Sequence, residues 1–205
     1  MPANKCFVLG LTGGIGCGKS AAAKFLETLG ARHIDADAIS RALTQQGGAA
    51  IPEIRRVFGE DVFYDDGELN RRRLGDVVFA DPAAKRALEG IIHPLVQRYV
   101  MDAIEAAAAR NVPVAVLNVP LLFESGMDVL CDEVWTMAAP EEVQVERICE
   151  RDGLSEEQAR ARIAGQMDMQ ERNARAKRVI RSDRPIEKTQ AELEQLYLNL
   201  IKRIG

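Results

Sequence analysis

The segment Gly13-Gly14-Ile15-Gly16-Cys17-Gly18-Lys19-Ser20 satisfies in full the pattern of a glycine, four residues, then Gly-Lys-Ser/Thr. Glycines at this spacing let backbone N–H groups converge on phosphate oxygens, and the N-terminus of a following helix adds positive potential. Lys19 reaches the β and γ phosphates, and the Ser20 hydroxyl can ligate Mg²⁺. The expected cofactors are therefore ATP and Mg²⁺, with Gly13 to Ala21 around the phosphates and Ser20 on the metal.

A second constellation is Asp35-Ala36-Asp37. One carboxylate could accept a proton from an attacking hydroxyl while the other holds Mg²⁺ through water. Both could instead serve as N-caps of the helix that the pattern starts near Ala38. Arg147 and Arg151 lie four residues apart on one helix face, an arrangement of like charges that an anion would relieve. With Arg160, Arg162, Arg172 and Arg175 they read as an anion-binding, mobile lid, because planar guanidinium forks suit phosphoryl oxygens. Cys17 sits inside the loop beside a helix N-terminus, where a thiol pKa can be lowered.

These residues need a scaffold that gathers them. Cys6 to Leu11 is a short continuous apolar run suited to a strand buried on both faces, and a helix with Ala22, Leu26 and Leu29 on one side follows the loop and stops at Gly30. Arg32 to Asp35, Val112 to Val119, Glu133 to Met137 and Lys177 to Arg181 supply four further strands. In an open parallel sheet the C-terminal strand ends form the ligand-binding edge, which is where Asp35 falls. No acidic residue ends the Val112 to Val119 run, so metal help must come from elsewhere, and Glu124 lies just beyond it. Gly47-Gly48, Asp65-Asp66-Gly67 and His93-Pro94 break the intervening helical stretch into several short helices. Ser155-Glu156-Glu157-Gln158 is a capping box, and Leu193, Leu196, Tyr197, Leu200, Ile201 and Ile204 form a helical stripe that should pack on the sheet.

A chain of 205 residues with 47% hydrophobic and 28% charged residues buries one α/β core. The expectation is a single kinase domain over 1–205, a parallel five-stranded sheet flanked by helices, with a helical insertion at about 60–110 and a lid at about 154–176. A net charge of -4 argues against nucleic acid and anionic membranes as partners. Met1 to Lys5 run straight into the apolar segment without a cleavage site, no stretch is apolar enough to span a membrane, and the four cysteines form no metal or disulfide pattern, so a cytoplasmic location is expected. Oligomeric state is left open.

Taken together, Leu11-Thr12-Gly13-Gly14-Ile15-Gly16-x-Gly18-Lys19-Ser20, Ile34-Asp35-Ala36-Asp37, His93-Pro94, Pro120-Leu121-Leu122-Phe123-Glu124, Arg151-Asp152 and Arg162-Ile163-x-x-Gln166 resemble the dephospho-CoA kinase family, from about Cys6 to Ile180. That resemblance implies a P-loop NTPase fold like that of the nucleoside-monophosphate kinases, and transfer of the ATP γ phosphate to the ribose 3′-hydroxyl of dephospho-CoA. It makes Asp37 the base with Asp35 beside it, and Lys19 and Arg151 the stabilising cations. Thr12, Asp37, His93, Leu122, Phe123 and Glu124 would line the acceptor site. Ser182-Asp183-Arg184 stands where the family carries Asn-x-Gly, so no adenine contact is carried over there. A nucleoside monophosphate or sugar kinase shares the same architecture, and an ATP-binding regulator would share the loop, although the Asp35 and Asp37 pair argues for catalysis.

Overall fold

A computed structural model describes residues 6–205, so Met1 to Lys5 lie outside the described residues. Five strands form one sheet: β1 (Phe7–Gly13), β2 (Arg32–Asp35), β3 (Val114–Asn118), β4 (Glu133–Ala138) and β5 (Arg178–Arg181). Their spatial order is β2-β3-β1-β4-β5 and every pairing is parallel. All strands therefore end on the same edge. Leu11 of β1 pairs with Asn118 on one side and Trp135 on the other, and Asp35 pairs with Asn118. All five residues of β3 are buried, which is why it reads as an unbroken apolar run without alternation.

The helices are α1 (Lys19–Thr28), α2 (Ala36–Leu43), α3 (Ile51–Phe58), α4 (Arg71–Ala80), α5 (Pro82–Ala109), α6 (Glu141–Asp152), α7 (Glu156–Ala164), α8 (Met169–Arg175) and α9 (Ile186–Ile204). The apolar stripe of α9 packs as its spacing requires: Leu193, Tyr197 and Leu200 are buried with Leu9, Leu11, Leu26, Trp135 and Ile180, and Leu196, Ile201 and Ile204 close over them. Among the described residues no helix is long and apolar enough to cross a membrane.

The chain divides into two compact units. One comprises the residues up to Asp35 with Ala103–Gly205 and contains the whole sheet, and the other is Ala36–Asp102. The insertion expected at about 60–110 thus falls mostly in a unit that begins earlier, directly at the end of β2. Within it Ile54 is fully buried, Asn70 caps α4 by accepting the Arg73 N–H at 3.0 Å, and Arg71 donates to the Thr44 carbonyl at 3.1 Å.

Two boundaries differ from the sequence reading. His93-Pro94 does not end a helix, because α5 runs through Pro94 for 28 residues. A proline inside a helix removes one hydrogen bond and crowds the carbonyl four residues back, which here belongs to Gly90, whose backbone yields most easily. Helix α2 starts at Ala36 instead of near Ala38, so Asp37 lies in its first turn and is not a cap before it.

Candidate active site

The phosphate loop joins β1 to α1 and presents a helix N-terminus with no side-chain cap and no acidic residue in its first turn. Those uncapped N–H groups and the positive end of the helix are the attraction for an anion. Gly18 is the N-cap residue with φ 76, and Gly16 has φ 79. A Cβ on Gly16 would also stand 2.9 Å from the Gln144 carbonyl oxygen, so only glycine fits. Lys19 and Ser20 are the first two residues of α1, with Lys19 half-buried and Ser20 exposed.

The loop's outer side is held by the protein itself. Arg147 donates to the Gly16 carbonyl at 3.0 Å and to both the hydroxyl and the carbonyl of Ser182, at 3.2 and 2.6 Å. Its guanidinium, read from sequence as part of an anion-binding face, is thereby engaged by backbone oxygens. Cys17 lies beneath the loop at 2% exposure, and burial pushes its thiol up, against smaller lowering effects from the Ala139 backbone, Arg172 and Arg147. The lowering that such a position can give is not the outcome here, because desolvation is the largest effect on this thiol.

The remaining arginines of the expected lid also have partners. Arg151 grips Asp152 with two bonds of 2.7 and 2.9 Å, which raises the Arg151 pKa and lowers that of Asp152, and Arg162 reaches the same carboxylate at 3.1 Å. Arg160 bridges Glu141 and Glu142, both at 2.7 Å. Arg175 meets Asp128 at 3.4 Å and lies over the Phe123 ring, 4.2 Å from its centroid. Arg172 is 4% exposed, donates to the Met167 carbonyl at 2.6 Å and stands 4.0 Å from Glu124.

Among the residues expected at the acceptor site, Thr12 and Leu122 are fully buried and Phe123 is 7% exposed. The Thr12 hydroxyl donates to the Pro120 carbonyl at 3.4 Å, fixing the turn that follows β3, and Glu124 at that turn accepts the Met167 N–H at 3.1 Å. Asp35 ends β2, half-buried, and Asp37 is exposed in the first turn of α2. Asn118 occupies the end of β3 where an acid is common; its amide meets His33 Nε2 at 3.3 Å while its Oδ1 is buried without a partner among the described residues. In the second unit, His93 is exposed and lines a cavity of about 320 Å³ with Arg71, Leu74 and Ile92.

A mainly apolar cavity of about 240 Å³ opens beside Gly18. Ala21, Ala22, Phe25 and Met137 line it together with Arg184 and Ile186 from the turn between β5 and α9. The sequence reading assigned nothing to that turn, because its residues depart from the resembled pattern. The only available signal was its position after the last strand, on the ligand-binding edge.

Comparison with known proteins gives one consistent family. The family model for dephospho-CoA kinase matches residues 7–188. A dephospho-CoA kinase of Symbiobacterium thermophilum is 44% identical over 190 residues, covering 93% of this chain and 80% of the relative, and one of Anaeromyxobacter dehalogenans is 42% identical over 94% of this chain and 92% of the relative. Among solved structures, dephospho-CoA kinase from Campylobacter jejuni superposes with a TM-score of 0.71 at 27% identity, over 95% of this chain and 97% of that one. Shikimate kinase from Acinetobacter baumannii, 16% identical with a TM-score of 0.54 over 98% of this chain and 96% of that one, shares the fold alone.

Proposed function

The chain belongs to the dephospho-CoA kinase family, and from that premise we propose how its own residues carry out the transfer. The reaction moves the ATP γ phosphate to the ribose 3′-hydroxyl of dephospho-CoA, giving CoA and ADP, the last step of CoA biosynthesis. The Asp37 carboxylate takes the proton of the 3′-hydroxyl as that oxygen bonds the γ phosphorus. The bond from γ phosphorus to the β–γ bridging oxygen breaks, and ADP leaves carrying the electron pair.

Charge develops on phosphoryl oxygens, and the groups to meet it are Lys19, Arg151 and the N–H groups from Gly13 to Ala21. For Arg151 this requires exchanging Asp152 for the phosphate. Asp35, two residues earlier at the end of β2, assists. Thr12, Leu122, Phe123 and Glu124 contact dephospho-CoA, as does His93 of the second unit. The cavity beside Gly18 receives the adenine, with Phe25 and Met137 against the ring.

Among the described residues no group of three His, Cys, Asp or Glu side chains could hold a metal by itself. That suits Mg²⁺, which keeps water and phosphate oxygens as most of its ligands, and the oxygen donors Ser20, Asp35 and the orphaned Asn118 Oδ1 suit it also. Ser20 would hold Mg²⁺, whose chemistry is to neutralise charge across the β and γ phosphates. Four cysteines without disulfides, Cys6, Cys17, Cys131 and Cys149, suit the reducing cytoplasm.

The observation that carries this reading is the uncapped N-terminus of α1 behind a complete phosphate loop. A coupled assay tests it: ADP release should depend on dephospho-CoA, and release stimulated by a nucleoside monophosphate but not by dephospho-CoA would overturn it.

A further inference from the structure

The Gly14–Ile15 peptide is tied at both of its polar ends. Its carbonyl accepts the Cys17 N–H at 3.1 Å, closing the turn that brings the chain round to Gly18, and its N–H donates to Gln166 Oε1 at 2.9 Å. The Ile15 side chain packs against the cluster of Val145, Ile148 and Ala159, on α6 and α7. A peptide that follows a glycine is the one most free to flip, and flipping this one would break both bonds together.

Gln166 is itself held in place. It belongs to the linker between α7 and α8, where its own N–H donates to the Ile163 carbonyl at 3.1 Å. Met167, the next residue, donates its N–H to Glu124 at 3.1 Å and gives its carbonyl to buried Arg172 at 2.6 Å. Asp168 then caps α8 through the Gln170 and Glu171 N–H groups. The linker read from sequence as part of a mobile lid is a braced arm in this structure.

We infer that Gln166 is a positioning residue for phosphoryl transfer: through the Ile15 N–H it fixes the Gly14–Ile15 peptide plane and so keeps the phosphate cradle in its binding shape. Through Met167 the same arm sets the turn after β3 in register with that cradle. This rests on the reading of the loop as the ATP site, and it adds a residue that touches neither substrate.

Two variants of similar length test it. Gln166→Met keeps the shape and loses the acceptor, whereas Gln166→Glu keeps an acceptor oxygen. In ligand-free protein, Gln166→Met should speed hydrogen exchange of the Ile15 and Cys17 amides roughly three- to tenfold, the factor one net hydrogen bond carries, while Gln166→Glu leaves it near that of the parent. In the assay, Gln166→Met should raise KM for ATP by roughly the same factor and leave KM for dephospho-CoA within about twofold. Exchange unchanged in Gln166→Met overturns the inference. So does a rise in both KM values together with a lower unfolding temperature, which is general destabilisation. Failure of the parent enzyme to phosphorylate dephospho-CoA would instead count against the proposed function, with the exchange result standing apart.

Discussion

Arg147 and Ser182 are bonded twice, guanidinium to hydroxyl at 3.2 Å and to carbonyl at 2.6 Å, while the same guanidinium holds the Gly16 carbonyl at 3.0 Å. One side chain thus joins the phosphate loop to the end of β5. Arg147→Met keeps the aliphatic stem and leaves two carbonyls short of a donor, a cost of about 1.5–3 kcal/mol for bonds to a charged group. The expected fall in Tm is roughly 4–10 °C. An unchanged Tm by calorimetry would mean that water replaces the guanidinium at no cost.

Arg151 presents the opposite case. Its partner Asp152 is on the surface, and exposed ion pairs contribute little to stability. Arg151→Gln should therefore leave Tm within about 2 °C while lowering kcat at least about tenfold, through lost charge stabilisation. Equal kcat in the variant would assign Arg151 to Asp152 alone.

Asp37→Asn should leave the ATP dissociation constant within a few-fold and lower kcat by roughly 10²–10⁴, the usual contribution of a general base. Calorimetric titration with a non-hydrolysable ATP analogue beside steady-state rates separates the two quantities. Turnover close to that of the parent removes Asp37 as the base.

Ala21 is exposed at the rim of the cavity beside Gly18, so a larger side chain there fills the cavity without entering the core. Ala21→Leu should raise KM for ATP about tenfold or more, with KM for dephospho-CoA unchanged. If ATP binds the variant normally, the adenine lies elsewhere.

Burial pushes the Cys17 thiol up and that of Cys131 up to about 12, with the Asp128 and Asp132 carboxylates adding to the second shift. A folded pKa above the unfolded value gives stability that is complete below the unfolded pKa, near ~8.5, and is lost as pH rises from there toward the folded value. The unfolding free energy from urea titrations should therefore fall between about pH 8.5 and 10.5, by up to about 1.4 kcal/mol per pH unit for Cys131, with Cys17 adding in the same direction. Cys131→Ala should flatten that slope even though it lowers the starting stability, and a slope identical to the parent's would contradict the assignment.

Much of this was legible in the sequence because the signals are local. Phe7 to Gly13, the glycine loop and the apolar stripe of α9 are each contained within one element, and the structure places them as their patterns require. What stayed hidden depended on contacts that spacing does not show. Arg147 and Arg151 form a like-charged pair that suggests an anion; in the structure the Gly16 and Ser182 carbonyls, from distant segments, hold Arg147, and the neighbouring Asp152 carboxylate holds Arg151. Cys17 is beside a helix N-terminus in sequence, but its depth comes from the core it joins, with Ala22, Met137 and Ala139. Pro94 signals a helix end on its own, and a helix of 28 residues overrides it. Phosphate binding was readable because it needs only residue types at fixed spacing, and the acceptor was reached through the resemblance to a family; the bracing of the loop was not readable, because Gln166 lies 151 residues from Ile15.

The rim of the cavity beside Gly18 carries Arg184 and Ile186, from the turn between β5 and α9. With the adenine placed there as proposed, an ATP-competitive inhibitor extended past the base toward that turn would meet the Arg184 guanidinium and the Ile186 side chain. An acidic or apolar extension would thus gain a contact at the base end of the nucleotide that the phosphate loop, built for phosphate, does not offer.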